Sequence, residues 1–556
     1  MICTRCLFAR SATLLLAVLF CFILGWIDAL SSTAAAQDLG AAARDRAADA
    51  AQDAAKNHSK KKDNKKSADK NSGDKKASEK KDADKKDKQP EPEDEELARS
   101  QHSARIGGER LRYSAKVGRL ELRDDKGKPR ANVYYFAYLK KNPGELAKRP
   151  ITFAFNGGPG SASVWLHLGI AGPARVKLND DATPSPPPYQ YVPNEHSLLD
   201  LTDVVLIDPV STGLSRVAES GEAKKFHGYE GDIQSIGEFI ERYLSTQGRW
   251  QSPKYLIGES YGTTRAAGLA ENLFDRHGVA LNGIVMVSSV LNFGTINFQG
   301  GNDLPYVVFL PSYTAAAWYH NRLDEELQED LERTLREAER FASGQYSVAL
   351  FKGDALAENE RRRIVRRIAR YTGLSREFIQ QSNLRVSMWE FAKEMMRDER
   401  RTVGRFDSRY VGIDRQATGS GTEYDPSAAA LFPAYTAAFN TFLRSALNYG
   451  PHRKYNIFGE VHPWNFSQFT NRYVDASEPL RKTMHRNPHM RVFVASGYYD
   501  LATPYFASDW TFRQLQLDES LRKNITYGYY KAGHMMYIHS PSLKKLKHDL
   551  AEFYGE

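Results

Sequence analysis

The sequence predicts an α/β fold in which a mostly parallel central sheet carries an inserted helical lid. Five short runs are apolar throughout, as are strands covered on both faces; they begin near positions 151, 203, 255, 283 and 490. Between 306 and 470 the pattern changes to the four-residue spacing of helices that bury one face. This spacing is seen at Leu323, Leu327, Leu331 and Leu335. The stretch is longer than strand crossings require, so we expect it to cover the sheet as a lid.

Residues 1–36 have the layout of a secretory signal peptide. The first ten residues carry two arginines and no acid, residues 13–27 are almost wholly apolar, and Ala34-Ala35-Ala36 offers a small-residue cleavage site. A retained signal-anchor is the alternative, although this apolar run is shorter than the span of about 20 residues that a bilayer needs. Membrane contact is expected only through this segment, if it stays uncleaved.

The cysteines point to the compartment. All three, Cys3, Cys6 and Cys21, lie in the predicted signal peptide, so the mature chain would form no disulfide. An exported protein without cysteines fits a bacterial periplasm better than a disulfide-rich secretory route.

Residues 37–104 are predicted to be a disordered Ala- and Lys-rich linker. Between Lys56 and Lys88 there are 14 lysines against 7 acids, and no Leu, Ile, Val or aromatic residue. Such a composition cannot bury apolar area. A lysine-rich arm that touches an anionic lipid or polymer is the alternative. Nucleic-acid binding is not expected, because aromatic residues and arginines are not interleaved.

The folded part is expected to run from 105 to 305, resume at 471 after the lid, and end at 556. It should open with a β-hairpin, because Leu111–Leu122 and Ala131–Leu139 alternate on either side of Asp124-Asp125-Lys126-Gly127-Lys128-Pro129.

A pentapeptide, Gly258-Glu259-Ser260-Tyr261-Gly262, directly follows the apolar strand Tyr255–Ile257 and precedes a predicted helix over Thr263–Phe274. A strand, a tight turn and a helix with small residues two positions either side of a serine form a nucleophile elbow. The glycines are needed because the turn leaves no room for larger side chains.

An acid and a histidine follow in the order that this kind of site requires, serine, acid, histidine. Asp500 comes just after the apolar run that begins at 490, and His534 follows the alternating strand Ile525–Tyr530. His534 would take the serine proton, and Asp500 would hold the imidazole in the right tautomer. Asp208 also ends an apolar strand, but it precedes Ser260, so we interpret it as a structural turn.

A glycine-rich loop, Asn156-Gly157-Gly158-Pro159-Gly160-Ser161, follows the strand Ile151–Phe155. Backbone N–H groups of such a loop can approach a developing oxyanion closely. A simple tight turn is the alternative.

These segments together resemble the serine carboxypeptidase family, whose members have the α/β-hydrolase fold. The resemblance rests on five segments spread over the globular part: Asn156–Gly160, Asp208–Ser215, Gly258–Tyr261, Ser496–Asp500 and Gly533–Met535. It implies an exported serine-type carboxypeptidase that hydrolyses the C-terminal peptide bond through an acyl-enzyme.

The resemblance also implies a role for each site residue. Ser260 would be the nucleophile, with His534 as general base and Asp500 as its orienting acid. The backbone N–H groups of Gly158 and Tyr261 would form the oxyanion hole. A further set would bind the C-terminal carboxylate of the peptide: Asn156, Gly157 and Glu259.

Two departures from the family pattern bear on the substrate. Ile170 stands where the family has an acid that pairs with the elbow glutamate, and Ser161 replaces a disulfide cysteine. Without its partner, Glu259 faces a negatively charged terminus, which is unfavourable unless Glu259 is protonated or turned away. An esterase, amidase or acyltransferase acting on substrates without a free carboxylate is therefore the alternative. A binding module without catalysis is a third reading, which the intact serine, acid and histidine disfavour.

Arginines 361–370 of the lid are interpreted as a solvated helix face, with the alternative that one of them binds the substrate carboxylate. No metal or other cofactor is expected, because none of the 14 histidines belongs to a metal-spaced cluster. The expected partner is a peptide substrate, and the sequence predicts no oligomeric state.

Overall fold

The computed structural model describes residues 94–555. The predicted signal peptide, the three cysteines and most of the predicted linker lie outside the described residues. Strand β1 (Asp94–Ile106) begins inside that linker, so the expected boundary at 104 is wrong. Its residues pair with β2 (Glu109–Arg123), from Ile106 opposite Glu109 to Asp94 opposite Leu120. Backbone pairing with β2 rather than burial of apolar side chains therefore holds this strand. A strand of this kind cannot be predicted from its own polar sequence.

Within the described residues, ten strands form one mixed sheet in the order β1-β2-β3-β7-β4-β9-β10-β13-β14, with β8 attached to β3. The remaining bounds are β3 Pro129–Lys140, β4 Ile151–Phe155, β7 Asp203–Ile207, β8 Arg216–Val217, β9 Lys254–Glu259, β10 Gly283–Val287, β13 Arg491–Gly497 and β14 Ile525–Tyr530. Six neighbouring strands of the sheet run parallel: β7, β4, β9, β10, β13 and β14. Strands β2 and β3 form the predicted hairpin. The predicted α/β-hydrolase fold is confirmed.

Two small ladders stand apart from this sheet: β5 (Ala174–Val176) with β6 (Tyr191–Pro193), and β11 (Thr402–Val403) with β12 (Val411–Gly412). The helices that flank the sheet are α1 Val164–Leu166, α2 Tyr229–Thr246, α3 Tyr261–His277, α12 Ser477–Arg486, α13 Tyr505–Arg513, α14 Glu519–Arg522 and α15 Ser540–Tyr554. Those of the insertion are α4 Leu304–Tyr319, α5 Glu325–Gln328, α6 Leu331–Phe341, α7 Ser347–Lys352, α8 Glu358–Thr372, α9 Arg376–Gln381, α10 Met388–Glu394 and α11 Pro426–Ser445.

The insertion is less uniform than the leucine spacing predicts. Leu327, Leu331 and Leu335 are all buried, but α5 and α6 are separate helices. Asp330 divides them, because its side chain caps α6 by accepting from the N–H of Arg333. After α11 the chain returns to the sheet without a long helix, and forms isolated bridges there, including Phe458 with Ser161.

Apolar side chains form three cores. Alternate residues of the central strands supply the two faces of the sheet, as Phe153 and Ala154 of β4 illustrate. The third core lies within the insertion and includes Tyr499, Leu501 and Tyr505 from the chain that follows β13. The insertion is thus packed onto the loop that carries Asp500. No helix among residues 94–555 is long and apolar enough to cross a membrane.

A buried ion cluster lies at the amino ends of the central parallel strands, opposite the end at which Asp500 follows β13. Asp203, at the start of β7, pairs with Arg249 at 2.7 Å and with Arg149 at 3.3 Å, and all three side chains are at most 7% exposed. Removing one partner of such a cluster leaves uncompensated charge in a low dielectric.

Asp203→Asn is therefore expected to lower the free energy of unfolding by about 3–5 kcal/mol, because two buried guanidinium groups lose their counter-ion. The matched control is Asp275→Asn, which breaks a half-exposed pair with Arg486 and should cost at most about 1 kcal/mol. Urea unfolding of both variants measures the difference. Equal losses would contradict this account of the cluster.

Candidate active site

Ser260 occupies a strained turn between β9 and α3. Its φ of 58° and ψ of −128° lie where non-glycine residues are rarely found. The backbone N–H of Ser260 donates to Val287 of the neighbouring strand at 2.9 Å. A Cβ on Gly258 would come within 2.2 Å of the carbonyl oxygen of Gly262. The strand, turn and helix that the sequence predicts are thus present, and the turn requires its glycine.

Asp500 and His534 meet at the same sheet edge as Ser260, because β13 and β14 run parallel to β9 and end there. The Nδ1 atom of His534 lies 2.8 Å from Oδ2 of Asp500. The other oxygen of Asp500 accepts from the backbone N–H groups of Ala502 and Thr503 at 2.7 and 3.0 Å. An ionised carboxylate only accepts hydrogen bonds, so Nδ1 carries the ring proton and Nε2 is left as the basic nitrogen.

The surroundings of His534 make it a stronger base. Burial alone would lower the pKa of this imidazole, but the negative charges of Asp500 and Glu259 outweigh burial, and the pKa is raised above its usual value. The positive charge of Arg405 acts in the opposite direction.

One cavity brings together six of the eight predicted site residues; Asp500 and Tyr261 do not line it. Its lining includes Ser260 and His534, and also Asn156, Gly157, Gly158 and Glu259. In the described chain no hydrogen bond joins the Ser260 hydroxyl to His534. Such bonds are often long before substrate binds and tighten in the complex.

The glycine-rich loop lies directly against the elbow. A Cβ on Gly157 would fall 2.4 Å from the backbone nitrogen of Tyr261. Tyr261 is the first residue of α3, so its N–H has no acceptor within the helix. The N–H groups of Gly158 and Tyr261 are thus the nearby donors to which an oxyanion could bind. The Tyr261 ring itself is buried away from the cavity.

A four-residue segment of the insertion, residues 405–408, joins the acid loop to the histidine loop; we call it the bridging segment. The carbonyl of Phe406 accepts from the N–H of His534 at 2.6 Å, and the Asp407 carboxylate accepts from the N–H of Gly533 at 3.1 Å. Its other residues bond to the acid loop, through Leu501 N to Arg405 O at 3.0 Å and Ser408 N to Tyr499 O at 2.9 Å. The sequence contains no sign of these contacts.

Aromatic side chains form one part of the cavity wall, which the sequence also did not reveal. The ring of Phe458 lies 5.9 Å from Trp165 and stacks 5.6 Å from Phe432. Phe432 and Phe458 are 41% and 54% exposed, unusual for phenylalanine in a folded protein. A ligand side chain that is apolar would cover them.

Two other predicted features fall outside this cavity. Asp208 is fully buried and accepts from Ser163 and Tyr455, in keeping with its interpretation as a structural turn. Arginines 363, 366, 367 and 370 line a separate surface groove on the insertion. Among residues 94–555 there is no group of three or more histidines, cysteines and acids that could hold a metal ion.

The serine carboxypeptidase family model matches residues 122–535, well over half of the chain. The protein belongs to the serine carboxypeptidase family. A curated relative, the pheromone-processing carboxypeptidase KEX1 of Meyerozyma guilliermondii, is 29% identical over 167 residues. That match covers 29% of this chain and only 22% of the relative's length.

Solved structures also resemble this protein. The prohormone-processing carboxypeptidase Kex1 from Saccharomyces cerevisiae is 15% identical, with 80% of this chain and 91% of that one covered and a TM-score of 0.49. A lipase described as putative, from Sulfolobus solfataricus, is 11% identical, with coverages of 82% and 98% and a TM-score of 0.32.

The two departures from the serine carboxypeptidase pattern have structural counterparts. Ile170 is buried, and Gly169 beside it packs so closely on Tyr537 that a Cβ would come within 2.4 Å of that ring. The Tyr537 hydroxyl donates to Glu259 at 2.5 Å. A tyrosine thus contacts the elbow glutamate in this chain. Ser161 accepts from the indole N–H of Trp165 at 2.9 Å.

Glu259 gains or loses its proton near neutral pH. Burial raises the pKa of its carboxyl to about 7, against smaller opposing contributions from His534, Tyr537 and Asn156. The repulsion expected between Glu259 and a substrate carboxylate is therefore relieved below that pH, where the protonated acid can donate a hydrogen bond instead.

Gly258→Ala is expected to abolish the reaction of Ser260 with a phosphonofluoridate probe, since the new methyl group would collide with the Gly262 carbonyl and open the elbow. Gly248→Ala is the control, because its φ of 62° strains an alanine but no atom of a more distant residue lies within 4 Å of the added Cβ. It should cost about 1–2 kcal/mol of stability and keep full labelling. Mass spectrometry of the labelled peptide checks both. Normal labelling of the Gly258 variant would contradict the elbow geometry.

Proposed function

We propose that this protein is an exported serine-type carboxypeptidase that removes the C-terminal residue of peptides through an acyl-enzyme on Ser260. The observation that carries the proposal is the buried 2.8 Å contact of Asp500 with His534, whose basic nitrogen is left for the cavity that Ser260 lines. Family membership supports the same reaction class.

The proposed reaction begins when Nε2 of His534 takes the hydroxyl proton of Ser260 and the oxygen attacks the penultimate carbonyl. The negative charge that forms on the carbonyl oxygen is stabilised by the N–H groups of Gly158 and Tyr261. His534 then gives its proton to the departing amino group as the C–N bond breaks. Water, deprotonated by His534, hydrolyses the ester and restores Ser260.

The free carboxylate of the substrate is proposed to bind beside Asn156, Gly157 and Glu259. A protonated Glu259 can donate to a carboxylate, whereas an ionised one repels it. The raised pKa of Glu259 supports carboxypeptidase specificity despite the missing family acid at Ile170.

An esterase, amidase or acyltransferase activity is the second candidate, favoured by the apolar cavity wall and by Ile170. A blocked dipeptide of two apolar residues, its C-terminal amide and its methyl ester separate the two. Faster cleavage of the free acid supports the carboxypeptidase, and faster cleavage of the amide or ester supports the alternative.

Export to a bacterial periplasm is proposed from residues 1–36 of the sequence. If it is right, the cell-envelope fraction of a bacterium that expresses the full chain should contain a shortened protein whose N-terminus lies near Gln37. A full-length membrane-bound protein would instead support the signal-anchor.

Ser260→Ala and His534→Ala are each expected to lower kcat by roughly 10⁴- to 10⁶-fold, with little further loss in the double variant, because the two residues act as a unit. Steady-state kinetics measures the loss, and an unchanged urea midpoint excludes unfolding. Recovery of a phosphonofluoridate label on a serine other than Ser260 would overturn the assignment.

The pH dependence of KM should differ between substrates. Since Glu259 ionises near pH 7, KM for free-acid peptides should rise as pH passes that value, while KM for methyl esters stays level. Acylation of both substrates should fall at lower pH, as His534 becomes protonated.

Glu259→Gln is the matched variant, because glutamine keeps the shape and cannot ionise. It should remove the alkaline rise in KM for free acids. It should also move the acidic limb to lower pH, since Glu259 helps to raise the pKa of His534. An alkaline rise that persists in this variant would contradict the role given to Glu259.

A further inference from the structure

Arg405 is a cation in the active-site cavity. The charges of Asp425 and Asp500 act on it, but within the described residues no acid forms an ion pair with its guanidinium. Its side chain lines the same cavity as Ser260 and Glu259. Among residues 94–555, its guanidinium forms no hydrogen bond and no ion pair, and its contact is with the face of Phe406, 5.0 Å away. Both backbone groups of Arg405 are engaged, with Asp425 and Leu501, so the start of its side chain is fixed.

The two acids whose charges act on Arg405 are Asp425 and Asp500, and each is bonded to other groups. Asp500 accepts from His534, Ala502 and Thr503. Asp425 accepts through Oδ1 from the backbone of Arg405 and caps α11, while its Oδ2 is buried without a hydrogen-bond partner. Neither carboxylate is bonded to the guanidinium. The guanidinium of Arg405, with five N–H donors, thus has no protein acceptor within the described residues, and its side chain lines the cavity.

A half-buried guanidinium with unused donors is suited to a carboxylate, which it can bind with two parallel hydrogen bonds. Hydrogen bonds from a charged donor to an anion are stronger than those between neutral groups, so an anionic ligand would gain from these donors. Arginines 361–370, the alternative that the sequence offered, are not part of this cavity. Four of them, at 363, 366, 367 and 370, line a separate groove on the insertion.

The chemistry of the cavity then selects which anion would bind. Ser260 and the glycine-rich loop hold the scissile carbonyl, and the wall of Trp165, Phe432 and Phe458 suits apolar side chains. The charged part of an apolar peptide that reaches into this cavity is its terminal carboxylate.

We propose that Arg405 binds the C-terminal carboxylate of the peptide substrate and so determines the preference for free acids. This inference rests on the carboxypeptidase function proposed above. In the family pattern an acid at the position of Ile170 takes part in recognising the substrate carboxylate. We assign that recognition in this chain to Arg405, a cation of the insertion.

The test uses the full-length enzyme and a blocked Phe-Leu dipeptide as free acid, amide and methyl ester. At a pH well above the His534 titration, Arg405→Gln is expected to raise KM for the free acid by about 10- to 100-fold and to change the kinetics of the amide and ester by less than about twofold. Arg405→Lys should recover part of the free-acid affinity, because it keeps the charge but loses the paired donors. The matched control, Arg363→Gln in the separate groove, should leave all three substrates unchanged.

An uncharged phosphonofluoridate separates binding from folding and basicity. If Arg405 binds the carboxylate, the rate at which the probe labels Ser260 should be the same in Arg405→Gln and wild type, at a pH well above the His534 titration. Equal losses for acid, amide and ester would overturn the proposal, since they would indicate a general effect on the site. An unchanged free-acid KM would also overturn it.

Two further outcomes distinguish the failures. If the wild-type enzyme already prefers the amide or ester, the carboxypeptidase function fails, and the role of Arg405 fails with it. If the wild type prefers free acids and Arg405→Gln loses affinity only for peptides with Asp or Glu side chains, the carboxypeptidase survives and the inference fails. If Arg405→Gln does not fold, two other measurements test the proposal. One is the kinetics of Arg405→Lys with the three substrates, and the other compares inhibition of the wild type by blocked leucine with inhibition by its amide. Equal inhibition by the acid and the amide would overturn the proposal.

Discussion

The hydrogen bond between Asp500 and His534 is the interaction on which the rest of the site depends. Both side chains are almost fully buried, where a misplaced charge costs far more than in water. Neither lies on a strand: each stands in a loop past a strand end. The bond therefore survives only if those loops are held in place, which the bridging segment does by bonding to Leu501 and Tyr499 on one side and to Gly533 and His534 on the other.

The insertion is consequently part of the catalytic framework rather than a removable cover. It supplies the bridging segment and packs its own core against the chain after β13. The insertion also supplies Arg405. Arg405 and Glu259 line the cavity that a substrate would enter, and the charges of both change the basicity of His534. Glu259 raises the pKa of that imidazole and Arg405 lowers it. Changes in substrate preference and in pH dependence are thus physically linked in this cavity.

Sequence predicts the parts of this molecule whose requirements are local. The elbow is recognisable because Gly258 must avoid the Gly262 carbonyl four residues away, and the central strands are recognisable because both of their faces are apolar. Contacts between distant residues leave no such trace. Tyr537 lies 278 positions from Glu259, and Asp407 lies 126 from Gly533. Strand β1 is not recognisable in the sequence for a related reason, since its partner β2 supplies the pairing that its own polar sequence does not predict.

Proton NMR of the wild-type protein tests the central claim most directly. The account predicts a strongly downfield-shifted ring N–H signal from Nδ1 of His534, absent from Asp500→Asn and His534→Ala. The signal should titrate with a pKa above the ordinary histidine value of about 6.5. A spectrum without that proton, or a titration below the ordinary value, would contradict the account of how His534 becomes the base.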